Sequence, residues 1–213
     1  MDFNFYIFVQ VTQISSPMKK TILALAATAT MLYACGSADE KTESMNPFFE
    51  AYNTPFEVPP FDKIKNEHFA PALREGITQQ QAEIDAIVNN SEEPTFQNTI
   101  EAMEYSGELL SKVSRVFGNL NSANTNEEIQ AFAKEMAPEL SAHSDNISLN
   151  EKLFARVKAV WDKKDDLGLN AEQQMLLEKT YKSFVRNGAN LNEADKAKLR
   201  EINSRLSSLT LQF

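Results

Sequence analysis

From Asn66 to the end of the chain, apolar residues recur at spacings of three and four, the period of helices that bury one face. The first stripe is Phe69, Leu73, Ile77, Ile84, Ile87 and Val88. A second joins Phe96, Ile100, Met103, Leu110, Val113 and Phe117 and passes through Gly107. Glycine there costs roughly 1 kcal/mol against alanine, and a close helix approach is the expected reason for it. Thr125-Asn126-Glu127-Glu128 has capping-box form and opens a helix with Ile129, Phe132, Met136 and Leu140, which Pro138 is expected to kink or split. A shorter helix carries Leu153, Phe154, Val157, Val160 and Trp161 and ends in the charged run Asp162 to Asp166. Asn170 and Gln173 fit the reciprocal caps of the next, with Leu177, Tyr181, Phe184 and Val185 as its stripe and Gly188 at the C′ stop. The last helix starts near Asn192 and carries Leu199, Ile202, Leu206, Leu209 and Phe213. No alternating run argues for a strand. The pattern predicts an all-α fold, an antiparallel helical bundle.

Upstream the pattern changes. Asn46 to Phe61 interleaves Pro47, Pro55, Pro59 and Pro60 with Phe48, Phe49, Tyr52, Phe56 and Phe61. Prolines block regular elements while the aromatics favour burial, so residues 46–65 read as an extended arm lying on the helical body. A polyproline docking ligand is the weaker reading, because no PxxP spacing is flanked by basic residues. Residues 35–45 are polar and have nothing to bury, which makes them a flexible tether. Met18-Lys19-Lys20 precedes a short apolar run from Thr21 to Tyr33, the form of a secretory signal peptide over residues 18–34. Residues 1–17 carry an acid and bulky aromatics that fit no targeting segment, so Met18 is the expected start. Leu32-Tyr33-Ala34-Cys35 resembles a bacterial lipoprotein cleavage box, with Tyr33 bulkier than the small residue usual at that place. Cys35 is the sole cysteine of the chain and has no disulfide partner, which favours acylation there over an ordinary signal peptide. A lipid-anchored protein of the bacterial cell envelope is expected.

Composition narrows the class. The chain has 213 residues, 42% hydrophobic and 24% charged, which is too apolar for disorder and too polar for a polytopic membrane protein. The formal net charge of −9, without a long basic run, argues against a nucleic-acid partner.

Candidate chemistry is sparse. His68 and His143 are far apart, and neither belongs to a His-Glu-x-x-His pair that would set two metal ligands one helical turn apart. His68 falls near a helix start and His143 near an expected helix end, where a capping or surface role is the plain reading. Ser141, His143 and Asp145 are the residue types of a triad, but side chains two apart on a helix diverge. Glu92-Glu93 and Glu127-Glu128 fit a loop and a helix first turn, where negative charge is favourable. The six glycines are scattered singly, so no phosphate-cradling loop exists. These residues assign no catalytic group and no metal ligand to the chain.

Several blocks carry a resemblance. Phe61-x-x-Ile64-Lys65-x-Glu67-His68-Phe69-x-Pro71-Ala72-Leu73 is the first, and Pro94-Thr95-Phe96-Gln97-Asn98-Thr99-Ile100 with Ser106-Gly107 the second. Pro138-Glu139-Leu140-Ser141-Ala142-His143, Asn150-x-x-Leu153-Phe154, and Tyr181-x-x-Phe184-Val185-Arg186-x-Gly188-Ala189-x-Leu191 follow, and then Leu206-Ser207-x-Leu209. In order over about residues 56–213, they resemble the N-terminal part of the thimet oligopeptidase family of zinc metallopeptidases. The resemblance implies an almost wholly helical, two-lobed enzyme around a deep channel that admits short, unfolded peptides. It implies a zinc ion bound by residues later in the family's chain; the intact enzyme is expected to be monomeric and to meet the membrane through the lipid at Cys35. No catalytic or metal residue of the family maps onto this chain, so zinc is expected in the intact protein and not on this segment. His68, Phe69, Pro71, Pro94, Thr95, Phe96, Asn98, Thr99, His143, Phe184 and Gly188 are expected to be structural positions of the signature. Without the family, Pro94 fixes a helix entry and Thr95 or Asn98 caps it, a structural role preferred over contact with substrate.

Two functions stand. One is the front portion, residues 66–213, of a peptidase that releases dipeptides or cuts oligopeptides, truncated at Phe213, forming a channel wall and inactive alone. The other is a stand-alone helical lipoprotein that binds a peptide or protein without catalysis. Phe213 continues the last stripe with no stop signal after it, which favours the first.

Overall fold

A computed structural model of the chain describes residues 45–212. The signal segment, Cys35 and the tether up to Ser44 lie outside the described residues, as does Phe213. Within them the protein is helical, and no strand occurs. The long elements are α1 (Phe69–Val88), α3 (Glu108–Ala123), α4 (Glu127–Ser148), α5 (Glu151–Asp162), α6 (Ala171–Arg186) and α7 (Glu193–Leu209). A π-helical turn, Phe96–Glu101, runs into the short α2 (Ala102–Glu104). Single 3-10 turns at Pro47–Phe49, Pro55–Glu57 and Asn66–His68 punctuate the arm.

Two apolar cores share α1. Its N-terminal half places Phe69, Ala72 and Leu73 with Phe48, Val113, Val116 and Met136. Phe69 meets three rings there, tilted or edge-on, with centroids 5.2 Å from Phe48, 5.3 Å from Phe117 and 6.4 Å from Phe132. Offset and edge-on aromatic pairs of this kind add about 0.5–1.5 kcal/mol each beyond their buried area. The C-terminal half of α1 sends Ile84 and Ile87 into the second core with Phe96, Ile100, Leu153, Val157, Val160, Leu177 and Phe184. Trp161 and Tyr181 close that core from outside, stacked with centroids 4.6 Å apart.

Local chemistry sets the helix ends. Asn170 accepts from the Gln173 N–H and Gln173 returns the bond to the Asn170 N–H, the reciprocal cap expected there. Gly188, at φ 92°, stops α6 with Gly188 N–H donating to Val185 O and Ala189 N–H to Phe184 O, the bond pair of a Schellman motif. The cap of α4 is Asn126, whose side chain accepts from the Ile129 N–H, one residue later than the Thr125 box suggested. Pro138 neither splits nor ends α4, which continues to Ser148. A proline removes one ladder bond, and here the packing of Met136 and Leu140 on the first core holds the helix together.

The stripe from Phe96 to Phe117 is not one helix. Gly107 sits at φ 76° between α2 and α3, a left-handed position where the helical ladder is broken. The expected close approach is present at the same residue but involves a side chain. A Cβ on Gly107 would lie 2.3 Å from Gln80 Nε2. The helix-to-helix close approach belongs to Gly76 instead, where a Cβ would meet Leu110 Cα and N at 2.8 Å. The arm is only partly packed. Phe48 is buried, whereas Phe56 stands 99% exposed on a turn whose two residues Phe56 and Glu57 both have positive φ.

Candidate functional site

The Pro94–Ile100 block is a structural joint. Thr95 Oγ accepts from the Asn98 N–H at 3.0 Å, and Asn98 Oδ1 accepts from the Thr95 N–H at 2.8 Å. Asn98 Nδ2 also donates to Glu93 O, while Thr99 Oγ donates to Asn98 Oδ1. Phe96 and Thr99 are buried, so the block turns its apolar side to the second core and spends its polar side on its own backbone. Arg156 completes the joint from α5. Its guanidinium donates to Asn90 O at 2.8 Å, Glu92 O at 3.2 Å and Asn98 Oδ1 at 3.1 Å, with the residue only 8% exposed. Its Nε is buried without a partner. Sequence reading passed over Arg156, although its place three after Leu153 and four before Val160 puts it inside the apolar stripe.

His68 and His143 are separate and both committed. His68 Nδ1 accepts from the Lys65 N–H at 3.0 Å, and its carbonyl accepts from Asn46 Nδ2, so it pins the end of the arm to the start of α1. His143 lies inside α4 and is 5% exposed, not at a helix end. Its Nε2 bonds Gln80 Oε1 at 2.8 Å across to α1, and desolvation holds its pKa below the ordinary value. That position follows from α4 running through Pro138, which carries His143 onto the α1-facing side. Asp145 takes no part with His143; it accepts from Asn203 Nδ2 at 2.7 Å on α7. Phe69 and Phe184 are core residues, Pro71 lies in the first turn of α1, and Gly188 is the left-handed stop already described.

A groove of about 830 Å³ separates the arm from α3, bordered by Tyr52, Phe61, Tyr105, Ser111, Arg115 and Asn119. Lys112 holds its floor. The ammonium donates to Phe48 O at 3.0 Å and Glu50 O at 2.7 Å and lies 4.1 Å from the centre of the Tyr52 ring. Desolvation lowers the Lys112 pKa and raises that of Tyr52, whose hydroxyl is buried without a partner. The groove offers aromatic faces, the exposed cation of Arg115 and the carboxylates of Glu57, Glu104 and Glu108, and no hydrogen bond joins Ser111 to any of these acids.

The described residues do not fit a catalytic metal. Among them no three His, Cys, Asp or Glu side chains converge, and both imidazoles already have internal partners. No helix among the described residues is long and apolar enough to cross a membrane.

No family model matches the chain. Similar proteins nevertheless cover most of it. Dipeptidyl carboxypeptidase of Escherichia coli (strain K12) is 45% identical over 170 residues, 80% of this chain and 25% of that protein. The dipeptidyl carboxypeptidase of Salmonella typhimurium is 44% identical over the same shares. Oligopeptidase A of Escherichia coli is 26% identical over 160 residues, 75% of this chain and 24% of that protein. The chain thus spans about a quarter of the length of these relatives. Those matches, on an all-helical segment whose signature blocks build its cores and caps, make the chain homologous to the N-terminal part of dipeptidyl carboxypeptidase and oligopeptidase A, in the thimet oligopeptidase family.

Proposed function

We propose that this chain is the N-terminal helical portion of a zinc metallopeptidase that hydrolyses short, unfolded peptides at the bacterial cell envelope. The observation that carries the reading is the 45% identity to dipeptidyl carboxypeptidase over 170 residues, combined with coverage of only a quarter of that relative. In the intact enzyme these helices form part of one wall of the substrate channel and are inactive alone. The hydrolytic water, its metal and its general base belong to sequence outside residues 45–212. Two features support a scaffolding role for the present residues: the polar signature side chains Thr95, Asn98 and His68 are used up in caps, and the His143–Gln80 bond ties two helices. Release of C-terminal dipeptides is favoured over internal cleavage, since dipeptidyl carboxypeptidase matches better than oligopeptidase A. Acylated Cys35 would hold the enzyme at the membrane as a monomer.

Extension of the coding frame past codon 213 tests this directly. A frame that carries His-Glu-x-x-His should yield a protein that releases dipeptides from blocked peptides, loses activity to a chelator and regains it with zinc. A frame that closes at codon 214, or an extended protein without metal-dependent peptidase activity, refutes the proposal and favours the stand-alone binding lipoprotein.

A further inference from the structure

α7 is amphipathic in the reverse sense. Its polar side is turned to the body: Lys196 is 2% exposed and bonds Glu151 and Glu193, Arg200 Nη1 donates to Asn146 Oδ1, and Asn203 donates to Asp145. Its apolar side looks outward, with Ile202 60%, Leu206 55% and Leu209 39% exposed. Leu199 begins that stripe and rests at the Gly188 turn. The spacing from Leu199 to Ile202, Leu206 and Leu209 is three, four, three, the a/d register of a helix–helix seam. A surface helix normally buries such a stripe, and three large apolar residues in register on one exposed face mark a surface that another element covers.

We infer that this seam is the docking face for a helix from the part of the intact polypeptide that follows residue 213, so that α7 is an interior helix of the whole enzyme. The inference rests on the peptidase reading. The relatives extend to about four times the matched length, which supplies the covering chain, and α7 is the described element nearest to it. Charge argues against a second copy of this chain as the occupant. In the seam register Lys198, which also reaches Asp195 at 3.1 Å on its own helix, and Arg205 take the flanking g positions. An antiparallel pair of α7 helices would set those cations against each other, and a parallel pair would need the flank that α4 already occupies. The fitting partner is a helix with an apolar a/d face and acidic residues along the edge that meets Lys198 and Arg205.

The test uses the intact extended protein with Cys35 replaced by serine and a single new thiol, L206C in one variant and L209C in another. Both sites are exposed in the described segment, so neither substitution disturbs the α4 contact. Maleimide labelling of the native monomer should be slowed at least about 100-fold relative to the same protein in urea, at both positions, as expected for a thiol reached only through opening of the fold. Rapid native labelling in an enzyme with full peptidase activity overturns the inference and leaves the proposed function standing. Protection that disappears on dilution overturns it in favour of self-association. A frame that closes at codon 214 removes both readings and is seen in the DNA before any labelling.

Discussion

Gly76 and Gly118 are both helical glycines, and the structure predicts opposite signs for replacing them by alanine. In α1, a Cβ on Gly76 would fall 2.8 Å from both Cα and N of Leu110 and 3.0 Å from its Cβ. Carbon–carbon contacts are favourable near about 3.5–4.0 Å, so α1 and α3 must move apart by roughly 1 Å. Because the obstacle is backbone, no side chain can swing away. The displaced surface is the first core, where Phe69, Leu73 and Val113 pack. A gap of that size forfeits roughly a quarter to a half of each affected dispersion contact. Overpacking costs about 1–3 kcal/mol, and the backbone clash puts Gly76 toward the upper end. Alanine's better helix propensity offsets about 1 kcal/mol. G76A should therefore lose roughly 1–2 kcal/mol, a fall in Tm of about 2–8 °C for a fold of this size. Gly118 in α3 has nothing within 4 Å of its would-be Cβ, so G118A should gain about 0.5–1 kcal/mol through propensity alone. Urea unfolding of both variants, followed by circular dichroism at 222 nm, measures the pair. A G76A protein as stable as the parent, or a G118A protein less stable, would refute the reasoning.

Three further outcomes are expected. R156M removes the donor to Asn90 O, Glu92 O and Asn98 Oδ1 and should cost roughly 2–4 kcal/mol in urea unfolding; a loss under about 1 kcal/mol would mean that water replaces the guanidinium. His143 has a depressed pKa from burial, so as pH falls below about 6.5 the unfolded chain takes up the proton before the folded one. More protons bound in the unfolded state means that stability drops with falling pH there and is fully retained above it. H143Q should flatten that slope, and equal slopes for the two proteins between pH 7 and 5 would exclude His143 as the cause. Finally, C35S should abolish incorporation of a labelled fatty acid in cells and shift the protein out of the membrane fraction. Retained label in C35S would remove the lipid anchor at that residue.

The parts of the fold legible in the sequence are those fixed within one turn of chain. The helical period, the Asn170–Gln173 cap and the Gly188 stop depend on residues three or four apart, and all three are present. What escaped depends on a partner elsewhere. Gly107 breaks a stripe that continues smoothly through it, because Gln80 of α1 fills the space beside it and Glu83 of α1 accepts from its N–H. Gly76 gave no signal at all, since its neighbour Leu110 is brought there only by the crossing of α1 and α3. Pro138 signals an early helix end that would leave His143 at the surface, whereas α4 runs on through it and buries His143. Arg156 could have been found, as a charge inside an apolar stripe needs acceptors to be tolerated. The apolar stripe of α7 is legible in the sequence, but its outward direction follows from Asp145 and Glu151, which claim the polar side.

The separate signature blocks gain their meaning from where they meet. Phe96 and Ile100 come from the second block, Leu153 and Phe154 from the Asn150 block, and Phe184 and Ala189 from the one that ends α6, yet all six lie in one core. Asn98 and Arg156 then tie the turn before that core to the helix behind it. Residues about 90 positions apart in the chain therefore answer to the same packing, and a change in one block must be matched in another to keep the volume filled. That accounts for resemblance spread over the whole segment in a stretch with no catalytic constellation among its described residues. Packing demands of this kind act on a channel wall as strongly as on a stand-alone bundle, so the core cannot separate the two functions. α7 bears on that choice: it buries Lys196 and turns the half-buried Asn203 to Asp145 while Ile202 and Leu206 stay exposed, an arrangement that the proposed covering helix would complete.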